Sequence, residues 1–182
     1  LTTDPGLETG LRQIRGATPG SMMTFFFLPC AGGSSWQRLN YSRPGGPQIA
    51  RRHKALFNKL WAKSEVLARE TYASGGYVAI EWPRICDYWK LPMVQEFMSQ
   101  YNLAISDFDG CAYNLRSSVK SNAGAYILKP WRFATTCLQL RSHLSHKCNR
   151  SHKHAPCAGA DTKKTESYTD LLVYHIHQAW EE

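Results

Sequence analysis

Apolar residues along the chain gather in short runs separated by turn formers, and the spacing inside each run predicts its element. Met22 to Leu28, apolar but for Thr24, runs into Pro29-Cys30-Ala31-Gly32-Gly33-Ser34-Ser35-Trp36, the pattern of a buried strand that empties into a loop. From Gln48 to Glu70, Ile49, Leu56, Phe57, Leu60, Trp61 and Leu67 recur at helical spacing, so one long amphipathic helix is expected there, ended by Ser74-Gly75-Gly76. Tyr77-Val78-Ala79-Ile80-Glu81 reads as a second buried strand, broken by Trp82-Pro83. Pro92 opens a short helix with Val94, Phe97, Met98 and Tyr101 on one face, and Leu103 to Phe108 is a third strand that leads into a turn over Asp109 to Tyr113. A loop edge and strand over Tyr126 to Thr136 carries Lys129 and Arg132, and a last helix is expected from about Glu166 to Trp180. Leu1 to Gly20, rich in Gly and Pro, reads as a flexible lead-in.

Strand, helix and strand over residues 22–81 form the pattern of a parallel βαβ unit. In such a unit Cys30 and Glu81 emerge at the same sheet edge, where α/β proteins bind ligands. A cysteine there, followed by small flexible residues, is a candidate nucleophile; it reads also as an inert thiol packed at a strand end. The expected organisation is a lead-in over 1–20 and one α/β domain over 21–182, with a Cys/His-rich insertion at 137–160.

Charge adds a partner to this picture. Lys and Arg total 22 against 14 Asp and Glu, a formal net charge of +8, and the excess falls in two blocks. Between Arg38 and Lys63 there is no acid, while Arg38, Arg43, Arg51, Arg52, Lys54 and Lys59 all occur; Lys129 opens the second block, which runs to Lys164 against Asp161 alone. Such blocks point to a polyanion, DNA first, or to a basic face that serves solubility. No apolar run approaches the roughly 18 residues needed to span a bilayer, so no membrane partner is expected. The six cysteines are scattered in a chain too long for a disulfide-built miniprotein, and read as reduced thiols of an intracellular protein, nuclear or cytoplasmic.

A second constellation is Cys148-x3-His152-x-His154-x2-Cys157. Two thiols and two imidazoles are the ligand types and number of a closed tetrahedral zinc site. Cys137, His143 and His146 are further potential ligands, and a solvated basic loop is the competing reading.

Three of these stretches resemble C5-cytosine DNA methyltransferases, in particular divergent members from phages and mobile elements. Pro29-Cys30 with Ala-Gly-Gly-Ser looks like that family's nucleophile loop, and Ile80-Glu81-Trp82-Pro83 is similar to its strand-terminal Glu motif. Asp109-Gly110-Cys111-Ala112-Tyr113 with Lys129-Pro130-Trp131-Arg132-Phe133 resembles its Tyr-Gly turn and the basic strand that follows. The resemblance implies a Rossmann-like three-layer sandwich with a mostly parallel sheet, S-adenosylmethionine as methyl donor, and DNA as substrate. It also implies roles. Cys30 would add to C6 of a flipped cytosine, Glu81 would donate near N3, and Arg132 would stabilise the carbonyl oxygen and the thiolate. Trp36, Trp82 and Trp131 could stack on the base or simply pack. The family's Phe-x-Gly-x-Gly cofactor turn has no counterpart in Leu1 to Gly20, which leaves the cofactor pocket incomplete and calls for an upstream segment or second chain, or else describes an inactive remnant. The alternative is a non-catalytic nucleic-acid-binding domain of mobile-element origin with a structural zinc site. A third reading pairs Cys30 with a histidine such as His53.

Overall fold

The computed structural model describes residues 1–34 and 37–182, and of Arg38 the backbone alone. The expectations placed on Trp36 and on the Arg38 side chain lie outside the described residues. By its internal contacts the chain divides into two units, residues 1–103 with 134–137, and residues 104–133 with 138–182, where one domain was expected.

In the first unit the expected lead-in is a helix, α1 (Asp4–Gly16). Thr3 caps it by accepting a hydrogen bond from the Gly6 amide, Pro5 suits its first turn, and Ile14 is buried. A Cβ on Gly10 would stand 3.0 Å from a Leu67 methyl, so this glycine is what lets α1 lie close along the long helix. Asp4 meets Lys63 at 2.8 Å there. Glycine content alone suggested mobility; the apolar stripe of Leu7, Leu11 and Ile14 decides otherwise.

Strand β1 (Met23–Phe26) is followed by a short helix α2 (Gln37–Tyr41) and by α3 (Gly46–Ala73). Phe57, Leu60, Trp61, Ser64, Leu67, Ala68 and Thr71 are its buried face, the 3–4 spacing expected of a helix lying on a core. It ends at Ser74, with Gly75 at φ +77, a left-handed conformation that costs glycine little. β2 (Tyr77–Pro83) runs parallel to β1 in the register Met23↔Tyr77 to Phe26↔Ile80. It continues through Trp82-Pro83 instead of stopping before them, because Trp82 is 1 % exposed and its indole N–H donates to the Leu28 carbonyl. Helix α4 (Pro92–Gln100) completes the unit. An aromatic cluster of Phe57, Trp61, Trp82, Tyr88, Trp89 and Phe97 fills its core.

The second unit holds β3 (Ala104–Asp109), most of β4 (Pro130–Thr135), and helices α5 (Leu138–His143), α6 (Ala160–Lys164) and α7 (Asp170–Glu181). Phe108, Tyr113, Trp131 and Phe133 pack as its aromatic core. Strand order is β1-β2-β4-β3, a mixed and mostly antiparallel sheet in which β1 and β2 are the parallel pair. The α/β class therefore holds, and the mostly parallel sheet does not. A parallel crossover needs a helix long enough to carry the chain back, whereas residues 110–129 hold only short 3-10 turns.

Candidate metal centre and strand-edge residues

Cys30 stands at the head of a 3-10 turn over Ala31–Gly33, its carbonyl accepting from the Gly33 amide at 2.9 Å. The glycines are packing residues. A Cβ on Gly32 would run into the Tyr88 hydroxyl, and one on Gly33 would stand 2.6 Å from Cys86 Sγ. Cys30 packs on the core cluster, and both it and Glu81 lie within electrostatic reach of the Cys86 thiol, which burial chiefly pushes up to about 12. Burial likewise pushes the Tyr88 phenol up to about 12, with Cys86 and Cys30 adding to it. The parallel register thus brings Cys30 and Glu81 to one edge, as their sequence positions predict. Glu81 is half-buried there.

Arg132 belongs to the second unit, where Nε and Nη2 grip Asp107 at 2.7 and 2.9 Å. That two-pronged bond raises the guanidinium pKa further and fixes the side chain across β3 and β4. Trp82 and Trp131, each 1–2 % exposed, are core residues.

A shallow apolar recess of about 200 Å³ lies beside the Cys30 turn, walled by Pro29, Ala31, Gly32, His53, Phe57 and Tyr88. His53 faces it, with Nδ1 3.3 Å from Gln37 Nε2. S-adenosylmethionine does not fit these residues: the recess is small and nearly without charge, and residues 4–16 form α1 in place of a strand and glycine turn.

Of the basic residues, Arg43, Arg51, Arg52, Lys54 and Lys59 are exposed. Lys129 is engaged within the protein. Its ammonium donates to the carbonyl and hydroxyl oxygens of Thr165 and sits 5.0 Å from the Trp131 ring centre.

The second unit gathers a different set. Cys111, in the 3-10 turn that follows β3, meets Cys148, His152 and His154 from the loop after α5, and their ligand atoms all lie within 4.8 Å of one another. Cys148 Sγ is 3.4 Å from His154 Nε2 and 3.7 Å from His152 Nε2. A zinc ion at about 2.3 Å from sulfur and about 2.05 Å from nitrogen sets that tetrahedral edge at about 3.6 Å. These residues could hold a metal ion. The Arg150 amide donates to Cys148 Sγ at 3.3 Å, and Arg150 holds the tight turn at φ +61. Asp109, buried, accepts the Cys148 amide on Oδ2, while its Oδ1 is enclosed without a hydrogen-bond partner. That bond ties the backbone at Cys148 to the end of β3. Burial and the neighbouring Cys148 push the Cys111 thiol up, and burial with His152 and Arg150 pulls His154 down. A cation at the centre would reverse the first effect and use the neutral imidazole that the second favours.

Cys157 stands outside this group, its Sγ 3.4 Å from the Thr165 hydroxyl, so Cys111 takes the place that local spacing gave to Cys157. The remaining expected candidates also lie elsewhere: Cys137 is a buried thiol, His143 meets Glu182, and His146 packs on Tyr113 and His175. The sign that could have marked Cys111 is its position directly after a strand, on an Asp-Gly turn. None of the six cysteines forms a disulfide, and among the described residues no helix is long and apolar enough to cross a membrane. Comparison with protein-family models, curated proteins and solved structures finds no match to this chain.

Proposed function

We propose that this chain is a non-catalytic nucleic-acid-binding protein whose second unit is closed by a structural Zn²⁺. The observation that carries the reading is the convergence of Cys111, Cys148, His152 and His154. Four protein ligands leave no position for water or substrate, which supports a structural ion over a catalytic one. Zinc bound there draws the two thiols into the thiolate form and ties the 148–154 loop to the turn after β3. Basic side chains supply the binding. Arg51, Arg52, Lys54 and Lys59 stand exposed on α3, in a stretch without a single acid, and match a phosphate backbone.

Metal analysis of chelator-washed protein redialysed against zinc is expected to find one equivalent; less than about half an equivalent refutes the centre. Duplex DNA should bind with an affinity that falls steeply with salt, and Arg51→Ala with Lys54→Ala and Lys59→Ala should lower the slope of log K against log[salt] by about 2–3. A slope unchanged by these substitutions removes α3 from the interface.

A second reading is favoured by one observation, the shared edge of Cys30 and Glu81. It is cytosine-directed chemistry of the C5-methyltransferase type. The Cys30 thiolate would add to C6 of an extruded cytosine while Glu81 gives a proton to N3, a step that needs no methyl donor and reverses when sulfur leaves. The wild-type chain should then trap covalently on duplex DNA carrying a mechanism-based cytosine analogue, and Cys30→Ser should not. Absence of any wild-type adduct refutes it.

A further inference from the structure

We infer that the metal-closed loop of the second unit is itself a phosphate-binding surface, formed by Lys147, Arg150 and Lys153 around the Cys111, Cys148, His152 and His154 centre, with Arg116 locked beside it. The inference rests on the proposed nucleic-acid function and names a contact surface for it that charge counting on α3 does not reveal.

The positions of these cations follow from the centre. Lys147 precedes the ligand Cys148. Arg150 is held at φ +61 by its own amide, which donates to Cys148 Sγ. Lys153 lies between the ligands His152 and His154; in extended chain, residues i and i+2 face one way and i+1 the other, so two imidazoles turned to the centre turn Lys153 outward. Lys147, Arg150 and Lys153 are all exposed, and none forms an ion pair among the described residues. Arg116 is fixed more firmly. It donates to Asn114 Oδ1, the Gly124 carbonyl and the Tyr126 hydroxyl, and its guanidinium lies 3.9 Å above the Tyr126 ring, which in turn packs 4.1 Å from His152.

Acids are sparse around this group. Gly110 to Ala160 contains no Asp or Glu at all. The acids on either side, Asp109 and Asp161, are 5 % and 1 % exposed; Asp109 accepts the Cys148 amide, and Asp161 accepts from Ser117 and Ser118. A zinc ion with two thiolates and two neutral imidazoles carries no net charge, so the surface charge is that of the side chains alone. A polyanion gains more from cations on a closed loop than from the same cations on a free one, because the loop entropy has already been lost on metal binding. A regular array of phosphates fits this chemistry, with the metal acting as organiser and never touching the ligand.

The test uses the full chain loaded with zinc and a mixed-sequence DNA duplex of about 20 base pairs. Lys147→Ala with Arg150→Ala and Lys153→Ala should weaken binding on the order of 10- to 100-fold and flatten the salt slope by about 2–3, with zinc content unchanged. Chelator should remove the same increment from the wild type and nothing more from the triple variant. If the triple variant keeps one zinc and binds DNA within twofold of wild type, the inference is overturned while the nucleic-acid reading stands on its α3 test. If the wild type does not bind DNA, or binds vesicles of anionic phospholipid through the same three residues while ignoring DNA, both are overturned.

Discussion

Cys111 and Cys157 show how little a residue's own neighbourhood says about its chemistry. Both are thiols near polar turns, yet one converges on two imidazoles and a second thiol while the other rests on Thr165. Cys111→Ser should therefore lose zinc from the protein, and Cys157→Ser should keep a full equivalent; metal content after gel filtration distinguishes them, and the opposite pattern would restore Cys157 as the ligand. Trp82 poses a related question, since an indole beside a nucleophile loop reads as a base-stacking group. With 1 % of its surface exposed and its N–H on Leu28, it supports the fold. Trp82→Ala should cost about 3–5 kcal/mol in denaturant unfolding. Gly33→Ala should cost about 1–3 kcal/mol, because the new methyl would stand 2.6 Å from Cys86 Sγ and beside the Tyr88 ring.

Elements carry the next level of behaviour, and α5 with α7 gives the clearest case. His175 of α7 faces His143, His146, Tyr113 and Tyr174, with Glu182 reaching His143, and its Nδ1 is enclosed without a partner. Burial, with His146 and His143 adding to it, holds the imidazole below its ordinary pKa. The unfolded chain then binds the proton more readily than the folded one. This contribution to stability is whole above about pH 6.5 and is lost as pH falls from there through the folded-state value. Thermal unfolding of the zinc-loaded protein should therefore drop on acidification from pH 7 to 5, and His175→Gln should flatten that drop. An unchanged profile in the variant would place the pH response elsewhere. The α1 helix makes the complementary point, for a Gly- and Pro-containing stretch became ordered once Leu7, Leu11 and Ile14 had a surface to meet.

At the scale of the whole molecule, two units share one chain, each with its own aromatic core and its own basic surface. Chelation should raise amide exchange in residues 138–159 and around Cys111 while leaving α3 protected, since the proposed metal ligands all belong to the second unit. Exchange unchanged by chelator would mean that the loop closes without an ion. Much of this organisation was legible in the sequence. Hydrophobic periodicity alone placed α3, α4, α7 and the parallel pair β1 and β2, because these elements are written in local spacing and bury one face each. The shared edge of Cys30 and Glu81 followed from that topology, and the acid-free basic stretch from a count of charges. Tertiary structure alone decided the antiparallel insertion of β4 beside β2, the ordering of α1, the grip of Asp107 on Arg132 and the exchange of Cys157 for Cys111. Each of these depends on which distant surfaces meet, and a contact between residues far apart in sequence leaves no periodic trace in either of them.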